Sequence, residues 1–130
     1  MKNKIFLPLA IAAFVLFCSF TTPNIPFEGV WRGTSICQAK NSACHDEMVV
    51  YHVSKSASQN TYSVLANKIV NGKEDEMGTL IFIYNPADQT YILKDTARNA
   101  LWVFKIKENK LEGTLMVRGE LFRIINLTKD

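Results

Sequence analysis

A chain of 130 residues carrying 15 Lys and Arg against 12 Asp and Glu has room for one small domain with one modest core. Lys2 and Lys4 stand in the first four residues, so the remainder holds 13 basic against 12 acidic side chains, a net charge of +1. That near balance, with no basic stripe, excludes nucleic acid as the expected partner.

The first residues have the form of a secretory leader. "MKNK" supplies the positive end, and "IFLPLAIAAFVLF" follows as an apolar run of about 13 residues. A membrane span needs about 20 residues, and no second run of that length follows, so no transmembrane span is expected in the mature chain. Residues 1–21 are therefore read as a signal peptide, cleaved within Ser19–Thr22, and the protein as periplasmic or secreted. A lipid anchor on Cys18 is the less favoured alternative, because Phe17 stands where a small residue is wanted. Residues 22–28, "TPNIPF" and its flanks, read as an extended linker, and 29–130 as the folded domain.

From there the chain alternates short β-rich runs with turn signals. "GVWRGTSIC" (Gly29–Cys37) is the first predicted strand and "EMVVYHV" (Glu47–Val53) the second. After the polar "KSASQN" comes "TYSVLANKIV" (Thr61–Val70). Asn71–Gly72 is a strong hairpin signal, because both residues tolerate positive φ. "EMGTLIFIY" (Glu76–Tyr84), "TYILKD" (Thr90–Asp95) and "ALWVFKIK" (Ala100–Lys107) follow. In the last, Trp102, Phe104 and Ile106 alternate with Lys105 and Lys107, the period of a strand with one buried face. "LEGTLMV" (Leu111–Val117) and "LFRIINLT" (Leu121–Thr128) close the series. Eight short strands with brief connections predict an all-β, eight-stranded antiparallel up-and-down barrel, since closure removes exposed edges. A two-sheet sandwich is the alternative. Gly113, inside a strand, marks a bend or bulge.

Gly29-Val30-Trp31, at the head of the first strand, resembles the Gly-x-Trp signature of the lipocalin and calycin family. The resemblance implies that Gly29 and Trp31 close one end of the barrel. It also implies that an arginine of the last strand, here Arg123, packs across the indole. The pattern from "GTSIC" to "ACHDEMVVY" is similar to that of small exported bacterial proteins of unknown function.

Cys37 and Cys44 flank "QAKNSA" between two strands. Hairpin ends lie close together, and an exported pair is usually oxidised, so a disulfide is expected on this loop. A metal reading would enlist Cys37, Cys44, His45 and Asp46 or Glu47, but Cys-x6-Cys matches no common zinc spacing. His52, seven residues beyond His45, is not expected to converge with it. A Cys–His nucleophile would need a free thiol and an oxyanion site. No Gly-x-Ser-x-Gly, His-Glu-x-x-His or phosphate-cradling loop occurs. "KEDE" (Lys73–Glu76) reads as solvated surface, and "HDE" as a polar loop end or recognition edge. The expectation is thus a non-enzymatic barrel with no catalytic residue, metal or cofactor, binding an apolar or amphipathic small molecule. Alternation nominates Met48, Val50, Leu80, Phe82, Trp102, Phe104 and Leu115 as inward-facing ligand contacts, although a one-residue slip would swap the faces. The alternative is a module binding a secreted or periplasmic protein, such as a hydrolase inhibitor, through Thr22–Phe27 or the disulfide loop.

Overall fold

The computed structural model describes residues 25–40 and 43–130; the expected leader, its expected cleavage segment and Cys18 lie outside them. Eight strands follow in chain order: β1 (Gly29–Cys37), β2 (Glu47–Lys55), β3 (Thr61–Val70), β4 (Lys73–Asn85), β5 (Thr90–Asp95), β6 (Ala100–Lys107), β7 (Lys110–Val117) and β8 (Glu120–Lys129). Each pairs antiparallel with the next, and β8 returns to pair with β1, giving a closed up-and-down barrel. The architecture is consistent with a lipocalin-like barrel, and the sandwich alternative falls. No helix among the described residues is long and apolar enough to cross a membrane.

Local chemistry sets the connections. Asn71 and Gly72 adopt φ of 52° and 75°, the paired positive values that a tight two-residue hairpin requires. The β1–β8 seam depends on Gly33. A Cβ there would stand 2.0 Å from the Asn126 carbonyl oxygen, so only a residue without a side chain lets the two backbones approach. Gly113 has a different task from the expected bulge. It faces Phe104 across the β6–β7 pair, and a Cβ would fall 2.6 Å from that ring. The register shifts lie elsewhere, at Ala66/Asn67 against β4 and at Leu115/Met116 against β8.

The interior is packed unevenly. Around the start of β1, Trp31, Val53, Val64, Phe82, Phe104, Leu111, Ile125 and Leu127 form the buried cluster. Phe82 and Phe104 stack with centroids 4.4 Å apart, and both are fully buried. Phe27 enters this cluster from below the barrel. It is 1% exposed and packs on Tyr62, Phe82, Tyr91 and Phe104. The segment expected to be a linker is, at Phe27, part of the core.

Candidate functional site

The two ends of the barrel differ in what fills them. At the Phe27 end the Trp31 indole N–H donates to the Phe27 carbonyl at 2.8 Å, fixing the plug to β1. The Lys129 ammonium lies 5.3 Å from the centre of the Trp31 ring and donates to the carbonyls of Pro26 and Glu28. Gly29, with φ of 125°, turns the plug segment into β1 and leaves space for the Lys129 stem. Gly29 and Trp31 therefore sit where barrel closure was expected, but the cation over the indole is Lys129.

Arg123 is at the other end, and its expected stacking on Trp31 does not occur. Its Cα is registered against Cys37, at the end of β1 opposite to Trp31. Strand position in a sequence names the element but not the height at which a residue crosses its neighbour; that comes from the register of a closed sheet. The Arg123 Nη1 donates to the Ser35 carbonyl and hydroxyl, each at 3.2 Å, and to the His45 carbonyl at 3.0 Å. The Glu47 carboxylate stands 3.8 Å away. Arg123 thus ties the last strand to the β1–β2 loop.

That loop carries the disulfide. Cys37 and Cys44 are bonded, with Cα atoms 5.9 Å apart. The Cys37 N–H donates to the Asp46 carboxylate at 2.9 Å. With Arg123 holding His45, the loop is anchored on both sides of the bridge. Both cysteines being oxidised, neither offers a thiolate for metal or nucleophilic chemistry. His45 takes part here through its backbone carbonyl, while the His52 ring is bonded to the Glu74 carboxylate at 2.6 Å on the outer wall. Among the described residues, no group of three His, Cys, Asp or Glu side chains is placed to hold a metal ion.

The interior wall at the disulfide end is an apolar row leading to a charge. The pairings Leu93–Trp102, Trp102–Leu115, Leu115–Arg123 and Arg123–Cys37 place these residues side by side around the barrel, all on its inner face. Leu80, Leu93 and Trp102 pack on the core yet remain only partly buried, unlike Phe82 and Phe104 deeper in. Of the nominated contacts, Leu80, Phe82, Trp102, Phe104 and Leu115 do face inward. Phe82 and Phe104 form the floor, since neither leaves surface for a ligand.

Met48 and Val50 are corrections. Trp31 and Tyr51 are partners, as are Gly33 and Val49, so Val49, Tyr51 and Val53 supply the inner face of β2. Met48 points outward and is 56% exposed. Val50 also lies on the outer face, between Arg32 and Asn67, yet is 1% exposed. A polar cluster lies about it, with Asn67 donating to Glu74 at 3.3 Å and Arg32 paired with Asp130 at 2.7 Å. Burial of β2 on both faces removes the alternation from which its register was read. In this cluster the bond from His52, then that from Asn67, holds the Glu74 carboxyl below the usual glutamate range.

The residues missed from the sequence are Phe27, Leu93, Tyr51 and Lys129. Tyr51 lies inside the barrel, where burial pushes its phenol well above the usual tyrosine range. Phe27 gave only one signal, a large aromatic between Pro26 and Glu28 where a solvated linker would carry none. No family model matches the chain, and neither a curated protein nor a solved structure matches it.

Proposed function

We propose that this protein is an exported, non-catalytic binding module whose barrel takes an apolar or amphipathic small molecule at its disulfide end. One observation carries the reading: Phe27 plugs one end of the barrel against the Phe82–Phe104 floor, while the inward side chains Leu80, Leu93 and Trp102 toward the other end are only partly buried. Apolar side chains that face inward and still reach solvent gain from covering by a ligand, at about 25 cal/mol per Å² removed from water. The Gly-x-Trp at Gly29–Trp31 and the closed eight-stranded topology support a place near the lipocalin-like carriers. The Cys37–Cys44 bridge supports an oxidising compartment, periplasmic or extracellular.

In the rival reading, a protein-binding module, Phe27 of the segment Thr22–Phe27 is part of the core and unavailable to a partner, while residues 22–24 lie outside the described residues. Its other segment, the disulfide loop "QAKNSACHDE" (38–47), remains available to it. Native mass spectrometry of the protein from an exported fraction separates the two. A carrier retains an organic molecule of a few hundred daltons that is released by mild denaturation. A chain that is bare, and that also fails to take up such molecules when offered, is not a carrier.

A further inference from the structure

The barrel closes between β4 and β5 through a short ladder only, and the stretch of β4 beyond it has the chemistry of a strand-docking edge. β4 spans Lys73–Asn85 but pairs with β5 only over Ile83–Asn85. On its other side β4 is matched to β3 along its length, and β5 is matched to β6 throughout Thr90–Asp95. Among the described residues no strand pairs with Lys73–Phe82 on the β5 side.

The direction of the free groups follows from the ladder. The Tyr84 N–H donates to the Asn60 carbonyl at 2.7 Å, toward β3. Strand residues alternate, so Phe82 and Leu80 also turn their backbone groups toward β3, while Ile81 and Thr79 turn theirs to the β5 side. The side chains beside that edge are apolar and exposed. Ile81 is 46% and Ile83 59% exposed, and with Ile92 and Leu93 they line a groove of ≈ 460 Å³. Beyond Gly78 the strand becomes acidic, with Asp75 and Glu76 exposed beside Glu74, whose carboxylate is already held by His52 and Asn67. Charge on an edge strand discourages indiscriminate pairing and selects partners of opposite sign.

We propose that the free edge of β4 at Thr79–Phe82, with the adjoining groove, takes an extended segment of a partner protein by strand addition. That segment is apolar where it lies along Ile81 and Ile83 and basic where it reaches Asp75 and Glu76. Backbone bonds to Thr79 and Ile81 supply affinity, and the groove and the acids supply selectivity. The site opens on the outer wall and shares only Leu93 with the inward row of the small-molecule reading.

The test uses the full mature chain and a fluorescein-labelled peptide of alternating valine and threonine with two lysines at each end. A matched peptide carries glutamates at those positions. The expected result is saturable anisotropy for the lysine peptide, at least about tenfold weaker binding of the glutamate peptide, and slowed amide exchange at Thr79 and Ile81. Ile81→Pro removes a donor on the β5 side and spares the β3 ladder, so the barrel should keep its circular dichroism while binding falls about tenfold or more. Ile81→Lys, an outward substitution, is the second variant and should weaken the lysine peptide also. The proposal is overturned by no binding, by equal binding of the two peptides, or by binding that leaves Thr79 and Ile81 unprotected. Concentration-dependent pairing of the protein with itself through the same amides would overturn it too, by making the occupant a second copy.

Discussion

Phe27 shows how much a single side chain decides in so small a barrel. Its ring contacts aromatic residues of β3, β4, β5 and β6, so it joins strands far apart in sequence. Phe27→Ala should cost about 3–5 kcal/mol, the usual loss for a buried phenylalanine, read as a lower denaturant midpoint with little change in slope. Trimming the chain through Phe27 should do the same, whichever partner the protein binds. Tyr91, beside Phe27 with centroids 4.1 Å apart, responds to pH. Burial, followed by the nearby Tyr62, Tyr84 and Glu28, raises its phenol from 10.0 to about 12. Its neutral form is thus favoured in the folded chain. The associated stability is whole below pH 10 and is lost as pH rises from there through about 12. Denaturant midpoints measured across that range should fall, and Tyr91→Phe should flatten the fall.

At the scale of elements, the strands were more legible than their faces. The predicted strands at Gly29–Cys37, Thr61–Val70, Thr90–Asp95 and Ala100–Lys107 coincide with those observed. Each is a compact β-rich run bounded by turn residues, so local chemistry was sufficient. The β4 strand was placed too short at its start, because Lys73–Asp75 carries charge that reads as loop, yet β3 pairs with it to the hairpin tip. Faces were legible on β6, which alternates, and illegible on β2, which has Val49, Val50 and Tyr51 all buried. The disulfide loop was legible because two cysteines seven positions apart flank the turn between adjacent predicted strands. Replacing Cys37 and Cys44 with serine should cost about 2–3 kcal/mol by the loop-entropy estimate, measured as a loss of unfolding free energy. Gly33→Ala should be the more disruptive single change, because its Cβ meets backbone on β8 rather than a side chain that can move. Loss of β1–β8 amide protection in hydrogen exchange would show it.

Across the whole molecule, the informative feature is the contrast between ends, which only the closed register reveals. The chain carries aromatic residues in almost every strand, and nothing in their order says that Phe82 and Phe104 stack as a floor while Trp102 remains partly open. Nor could the sequence assign Lys129 to the Trp31 end and Arg123 to the disulfide end, since both lie on β8 and only the β1 pairing separates them. The two tryptophans are reporters of the two ends: Trp31 is fully buried beside the Phe27 plug, and Trp102 lies partly buried on the inner wall toward the other end. The most direct measurement is a titration of tryptophan emission with the neutral apolar dye N-phenyl-1-naphthylamine, on the native chain and on Trp102→Phe. A barrel with an open apolar cup should show saturable energy transfer to the dye that is largely lost in Trp102→Phe, with the Trp31 emission little changed. Absence of saturable transfer in the native chain, with the fold intact, would contradict a binding cup at the disulfide end.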